Sequence, residues 1–159
     1  MRHVIAILLQ NEAGALTRVT GLISARGYNI ESLSVAPTND PTVSRVTLVT
    51  TGSDAVIAQI NAQLLKLVDV VAVEDMTSGD TLARELLLIK LHLSAEHVDS
   101  AAALVRRAGG RVLSSNPSIY ELAGTELEIG EFIAGIGAFG EIMEVVRSGV
   151  VGIARRVLR

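Results

Sequence analysis

The residues of this chain best suited to chemistry are asparagines and a glycine in two short runs. The runs are Asn11-Glu12-Ala13-Gly14-Ala15-Leu16 and Gly27-Tyr28-Asn29-Ile30-Glu31-Ser32. Asparagine and glycine between a strand and a helix are typical of a turn and a helix cap. The first turn of a helix has unpaired N–H groups that carry a partial positive charge. The first run therefore predicts a site for a small anion, such as the carboxylate of a free amino acid.

Gly14 is the central candidate, because a residue without a Cβ lets a ligand approach the backbone and lets the chain turn into the helix. We expect the N–H groups of Gly14, Ala15 and Leu16 to face outward there; the alternative is a glycine that serves only the turn. Asn11 and Asn29 each carry an amide that could bond an ammonium or a carboxylate. Because Asn11 ends the first strand and Asn29 begins the strand expected beside it, the two side chains are predicted at one end of the sheet.

Hydrophobic periodicity supplies the elements that must position these residues. It predicts strands near 3–10, 28–36, 43–51 and 68–75, with helices near 14–26 and 54–66, an order of βαββαβ. The helices show apolar stripes, one at Leu16, Val19, Thr20 and Ile23 and one at Ile57, Ile60 and Leu64.

The same order then returns, after a small polar linker at 77–83. Gly27 corresponds to Gly109 with an offset of 82 residues, and Val68 corresponds to Ile142 with an offset of 74, so the second copy is shorter by about the size of the loop from Pro37 to Pro41. The predicted fold class is α+β, with two ferredoxin-like βαββαβ sandwiches. The predicted domains are residues 1–76 and 84–159.

The second copy has not kept the candidate site, since the offset puts Leu93, Glu96 and Arg111 where Asn11, Gly14 and Asn29 stand. Strands such as 4–9 and 85–89 are apolar on both faces, so the open face of each sheet needs a cover. Edge strands of two copies could also pair into one sheet. A homodimer is the simplest expectation.

Composition excludes several function classes. A net charge of −3 and only two Phe, two Tyr and no Trp give no basic field or stacking platform for nucleic acid. The absence of cysteine excludes disulfides, thiolate metal sites and a cysteine nucleophile. The sequence is 49% hydrophobic, but no apolar stretch approaches a membrane span, so a cytoplasmic protein without membrane contact is expected.

No catalytic or metal site is predicted. His3, His92 and His97 have no metal-binding spacing and are expected at the surface or at strand ends. Serines and threonines lack a visible general base, although a triad assembled in space stays open. The loop at 36–41 and the glycine-interrupted tail at 145–156 could each face a partner protein, and the tail could equally pack on its own domain.

Several runs together resemble the regulatory small subunit of acetolactate synthase, also called acetohydroxyacid synthase. The resemblance extends from residue 1 to about 156 and rests on residues 11–19, 26–33, 35–38, 67–70 and 147–152, which read NEAGALTRV, RGYNIESL, VAPT, LVDV and RSGVVG.

The resemblance implies an N-terminal ACT domain that binds an amino acid and dimerises, and a C-terminal ferredoxin-like domain. It implies a homodimer that binds and activates the catalytic large subunit and confers feedback inhibition by valine. It implies that valine is held by Asn11, Gly14, Ala15 and Leu16 of one chain and by Asn29 and Ile30 of the other. Thiamine diphosphate, magnesium and FAD are expected on the large subunit and none on this chain. The alternatives are a stand-alone ACT-type regulator of another enzyme or of transcription, and a small enzyme on a ferredoxin-like scaffold.

Overall fold

The computed structural model describes residues 1–78 and 80–155. It divides the chain into two compact units. The first contains Met1–Ala83 and the segment from Val150 onward, and the second contains Arg84–Gly149. Of the sequence predictions, Gly79 in the linker, residue 156 of the tail and residues 157–159 of the C-terminal domain lie outside the described residues. The α+β class and the repeated βαββαβ plan are both confirmed.

The first unit is an antiparallel sheet with two helices on one face. Its elements are β1 (Arg2–Gln10), α1 (Ala15–Ser24), β2 (Ile30–Pro37), β3 (Val43–Thr51), α2 (Asp54–Leu64) and β4 (Val70–Asp75). The strand order is β2-β3-β1-β4, so β2 forms one edge and β3 separates it from β1. The prediction that Asn29 begins the strand beside β1 is therefore wrong.

The core of the first unit lies between this sheet and the helices. Ala15, Val19 and Ile23 of α1 are buried, as are Ile57, Ile60 and Leu64 of α2. Both sets recur every three or four residues, as one face of a helix requires. They pack on apolar strand residues, namely Ile5, Ile7, Leu9, Val46 and Leu48.

The second unit repeats the plan. Its elements are β5 (Thr81–Leu93, whose first residues belong to the first unit), α3 (Val98–Arg107), β6 (Arg111–Ser115), β7 (Ser118–Gly124), α4 (Glu126–Ile136) and β8 (Gly140–Arg147). The strand order is β6-β7-β5-β8. Thr125 caps α4, because its hydroxyl accepts a hydrogen bond from the N–H of Glu128 while the Glu128 carboxylate accepts one from the N–H of Thr125.

Part of the outer face of the first sheet is covered by the chain's own tail. The last described strand, β9 (Val151–Ala154), pairs with β5. Val150 is buried there with Met76 against Val4, Ala6 and Val49. The segment from Val150 therefore belongs to the first unit, whereas the sequence placed it in the C-terminal domain. For this part of the first sheet, the cover that the sequence predicts comes from the same chain.

Arg45 and Met76 also contact this tail segment. Arg45 donates a hydrogen bond through Nη2 to the carbonyl of Gly152 at 3.1 Å. A Cβ on Gly152 would lie 3.0 Å from the terminal carbon of Met76, so the absence of a side chain allows the close approach. No helix in the described part of the chain is long and apolar enough to cross a membrane.

Candidate functional site

Gly14 forms the corner between β1 and α1. It caps the helix with φ 85° and ψ −13°, a left-handed conformation that glycine adopts without strain. The helical bonding begins with the N–H of Arg18, which donates to the carbonyl of Gly14 at 3.0 Å. Among the described residues, the N–H groups of Gly14, Leu16 and Thr17 have no main-chain acceptor. The corner therefore presents donors and the positive end of the helix dipole to an anion.

Ala15 differs from the sequence expectation. Its N–H donates to the carbonyl of Glu12 at 3.3 Å, and its side chain is buried in the core. The N–H of Ala15 is therefore engaged in the turn, whereas that of Thr17 has no main-chain acceptor among the described residues. Leu16 is half-buried and packs at the margin of the first core.

Asn11 lies at the same end of β1 and is tied to the hairpin between β2 and β3. Its N–H donates to the carbonyl of Thr42 at 2.8 Å, and its amide nitrogen donates to the carbonyl of Pro41 at 3.0 Å. The Asn11 amide oxygen is thereby oriented as an acceptor. The loop from residue 38 to 42 thus braces the candidate site, a role that the sequence did not reveal.

Asp40 stabilises this loop. Its Oδ1 accepts hydrogen bonds from the hydroxyl and the N–H of Thr42, at 2.7 and 2.9 Å. Both hydrogen bonds lower the pKa of Asp40, and the bond from the Thr42 hydroxyl has the larger effect. The loop is therefore internally ordered where it meets Asn11.

Asn29 and Ile30 lie at the other end of the sheet. Ile30 pairs with Thr50, which in turn pairs with His3 near the start of β1. Asn11 follows Gln10 at the end of β1, so roughly 23 Å of strand separates the two positions. The prediction that both asparagines sit at one end of the sheet is wrong for a single chain. Asn29 is exposed, and its carbonyl accepts a hydrogen bond from the Thr50 hydroxyl at 2.6 Å.

An ion pair that the sequence analysis missed stands beside Gly14. Arg18, one turn into α1, donates through Nε to Oδ2 of Asp69 at 2.5 Å. The Asp69 side chain is 5% exposed and that of Arg18 is 48% exposed. The hydrogen bond and the charge of Arg18 hold the pKa of Asp69 below its ordinary value against the opposing effect of burial. The available signal was an aspartate inside the apolar run 67–70.

The three histidines do not converge on one site. His3 is buried near the start of β1, so of the two expected places, the surface or a strand end, it takes the strand end. Its ring nitrogens lie 3.2 Å from the Thr77 hydroxyl and from the carbonyl of Gly52. His92 is exposed, and His97 caps α3. Within the described residues no group of three His, Asp or Glu side chains could hold a metal ion.

Both halves of the chain match known protein families. Residues 5–72 match the model described as "AHAS small subunit-like ACT domain". Residues 84–156 match the model described as "Small subunit of acetolactate synthase". The N-terminal unit is accordingly an ACT domain.

Individual proteins agree with these models over nearly the whole chain. The small subunit of acetolactate synthase isozyme 3 from Escherichia coli K12 is 46% identical over 98% of this chain and 96% of its own length. The acetolactate synthase small subunit of Haemophilus influenzae is 39% identical over the same shares. The crystal structure of the small subunit from Thermotoga maritima superposes with a TM-score of 0.85 at 27% identity, covering 99% of both chains. The chain therefore belongs to the family of acetolactate synthase small subunits.

Proposed function

We propose that this chain is the regulatory subunit that activates the catalytic large subunit of acetolactate synthase and makes it sensitive to feedback inhibition by valine. The family membership and the ACT domain support this role. The chain itself performs no chemistry. Thiamine diphosphate, magnesium and FAD belong to the catalytic subunit, and the complex is cytoplasmic.

The effector site is completed by a second copy of the chain. The observation that carries this proposal is the placement of the two asparagines at opposite ends of one sheet, where one valine cannot reach both. β2 is an edge strand, and its Val35 is 42% exposed. Two β2 strands that pair antiparallel about a twofold axis set the beginning of one opposite the end of the other. Asn29 and Ile30 of the second copy then come to the Gly14 end of the first.

The chemistry of the two ends is complementary to a zwitterionic, branched amino acid. The carboxylate accepts hydrogen bonds from the N–H groups of Leu16 and Thr17, where the helix dipole contributes about 0.3–1 kcal/mol. The amide oxygens of Asn11 and of the second copy's Asn29 accept from the ammonium group. Half-buried Leu16 and Ile30 supply apolar contacts for the isopropyl group.

Valine at such a dimer interface acts by binding one quaternary arrangement of the subunits more tightly than another. A ligand shifts an equilibrium only by the difference of its affinities for the two states. Typical coupling free energies are about 1–3 kcal/mol, which correspond to roughly 5- to 150-fold changes in affinity. Valine favours a dimer geometry in which the bound large subunit is less active.

One assay tests both halves of the proposal. The purified catalytic subunit is measured alone, with this chain, and with this chain and valine. We expect stimulation by the chain and loss of that stimulation with valine. Gly14→Asp places a negative charge where the carboxylate binds, so it should abolish inhibition while leaving stimulation. Failure to stimulate the catalytic subunit would contradict the regulatory role and favour a stand-alone sensor.

A second measurement isolates the site. Isothermal titration calorimetry of the chain with valine should give one binding event per chain, and none in Gly14→Asp. Sedimentation equilibrium should report a dimer. Unchanged valine affinity in Gly14→Asp, or binding by a strictly monomeric chain, would refute the site at the dimer seam.

A further inference from the structure

The side chain that lies nearest the Gly14 corner is Arg18. A Cβ built on Gly14 would lie 3.0 Å from Nη1 of Arg18, with Cζ at 3.8 Å and Nη2 at 3.9 Å. Any group that approaches the exposed face of this glycine therefore meets the guanidinium. Arg18 bonds Asp69 through Nε, on the other edge of the fork.

Asp69 has the features of a residue that orients Arg18. Its side chain is buried, and an ionised carboxylate in such a place requires a partner. Its main-chain carbonyl accepts a hydrogen bond from the N–H of Gln10 at 2.8 Å, at the end of β1 that leads to the corner. Hydrogen bonds thus hold both the side chain and the backbone of Asp69 in place. Asp69 in turn orients the Nε edge of the Arg18 guanidinium.

Arg18 has more N–H donors than its ion pair with Asp69 uses. A guanidinium carries five N–H donors in a rigid plane, and the contact with Asp69 is made through Nε alone. The Nη groups form a second edge that matches a carboxylate with two parallel hydrogen bonds. The Nη1 and Nη2 atoms lie 3.0 and 3.9 Å from the Cβ position of Gly14, at the start of the same helix turn whose Leu16 and Thr17 N–H groups have no main-chain acceptor among the described residues.

We propose that Arg18 binds the carboxylate of the amino-acid effector and that buried Asp69 is the positioning residue that holds Arg18 for this contact. The inference rests on the proposed function and adds a charged ligand to a site otherwise made of backbone and amide groups. It also gives a chemical reason for the expected effect of Gly14→Asp, because the new carboxylate would come within reach of Arg18 and occupy it.

Glu12 provides a matched control at the same corner. It is exposed, and its charge acts on Arg18 and raises the pKa of that side chain together with Asp69. It opposes the binding of an anion by electrostatics. Glu12→Gln should therefore bind valine at least as tightly as the wild type, although it also removes a charge that acts on Arg18.

The test is calorimetric titration of the full-length chain with valine. Arg18→Gln should weaken binding roughly 10- to 100-fold, the range for a lost hydrogen bond between charged groups. Arg18→Lys keeps the charge without the fork and should fall between wild type and Arg18→Gln. Asp69→Asn should also weaken binding, because it releases the guanidinium.

The double variant Arg18→Gln/Asp69→Asn separates positioning from mere structural support. If Asp69 acts through Arg18, the double variant binds valine as weakly as Arg18→Gln and no more weakly. Because it replaces both charges, it also removes the unpaired buried carboxylate that could destabilise Arg18→Gln alone. Thermal unfolding by circular dichroism of each variant reports folding separately from affinity.

The outcomes distinguish this inference from the proposed function. If the wild type binds valine, Gly14→Asp does not, and Arg18→Gln binds within about twofold of wild type, then the role of Arg18 is overturned and the site stands. Strictly additive losses in the double variant would overturn the positioning role of Asp69. If the wild type itself does not bind valine, the proposed effector fails first.

Discussion

Replacement of Gly14 by alanine should lower the free energy of unfolding of the first unit by about 1–2 kcal/mol, the cost of a left-handed backbone for an L-residue. The estimate follows from the φ of 85° at this position. The added Cβ would also lie 3.0 Å from Nη1 of Arg18. That atom is the end of a flexible side chain and can move by a few tenths of an ångström, so the backbone term dominates the loss of stability.

Two other glycines serve as controls. Gly21 lies inside α1 with open space at its Cβ position, so Gly21→Ala should raise the free energy of unfolding by about 0.5–1 kcal/mol. Gly109 has a φ of 78° in the second unit, also with open space around it. Gly109→Ala should share the backbone strain of Gly14→Ala without any effect on valine.

Urea unfolding followed by circular dichroism measures the stabilities, and calorimetric titration with valine measures the affinities. We expect losses of stability in Gly14→Ala and Gly109→Ala, a gain in Gly21→Ala, and weaker valine binding in Gly14→Ala alone. Wild-type stability of Gly14→Ala would show that the left-handed corner is not required. Wild-type affinity in that variant would contradict the placement of the carboxylate at this corner.

Three further predictions test the supporting structure. Met76→Ala should lower the free energy of unfolding by about 2–5 kcal/mol in urea, because Met76 is buried on the outer face of the first sheet; a loss below about 1 kcal/mol would contradict that packing. Folding lowers the pKa of Asp69, so the ionised side chain stabilises the fold at pH values above its ordinary pKa of 3.8. This contribution is lost as the pH falls through the lower pKa of the folded state. Asp69→Asn should thus be less stable at neutral pH and show a shallower acid unfolding curve below about pH 4, and a curve parallel to wild type would count against the ion pair. Thr125→Ala should cost about 1 kcal/mol, whereas Ser53→Ala should cost less, since Ser53 caps α2 without a side-chain hydrogen bond; equal losses would show that the Thr125 capping box adds nothing.

The sequence predicted those features that depend on local periodicity. Ile57, Ile60 and Leu64 form the buried stripe of α2, as expected. In α1, Val19 and Ile23 are buried as expected, whereas Leu16 and Thr20 are half-buried and Ala15 is buried as well. Gly14 precedes the helix in a left-handed conformation, which the hydrophobic periodicity of α1 does not indicate.

The features that the sequence did not predict depend on contacts between distant residues. The order β2-β3-β1-β4 follows from how strands pair, so the end of the sheet at which Asn29 lies could not be read from its own run. Arg18 and Asp69 are 51 positions apart, and neither carries a local signal of its partner. β9 has only four residues and glycine within it, so its strand conformation depends on the pairing with β5.

The two copies of the plan differ at the corner before the first helix of each unit. The cap of α3 is His97 with φ −100°, in place of a left-handed glycine, and Glu96 precedes it. A negative charge there disfavours an anion, so the proposed effector site is placed in the first unit alone. In the proposed dimer, a twofold axis through the paired β2 strands relates one Gly14 corner to the other at the opposite end of the joined sheet. Two valine molecules would then bind per dimer, each contacting both chains, so that either one favours the same quaternary arrangement.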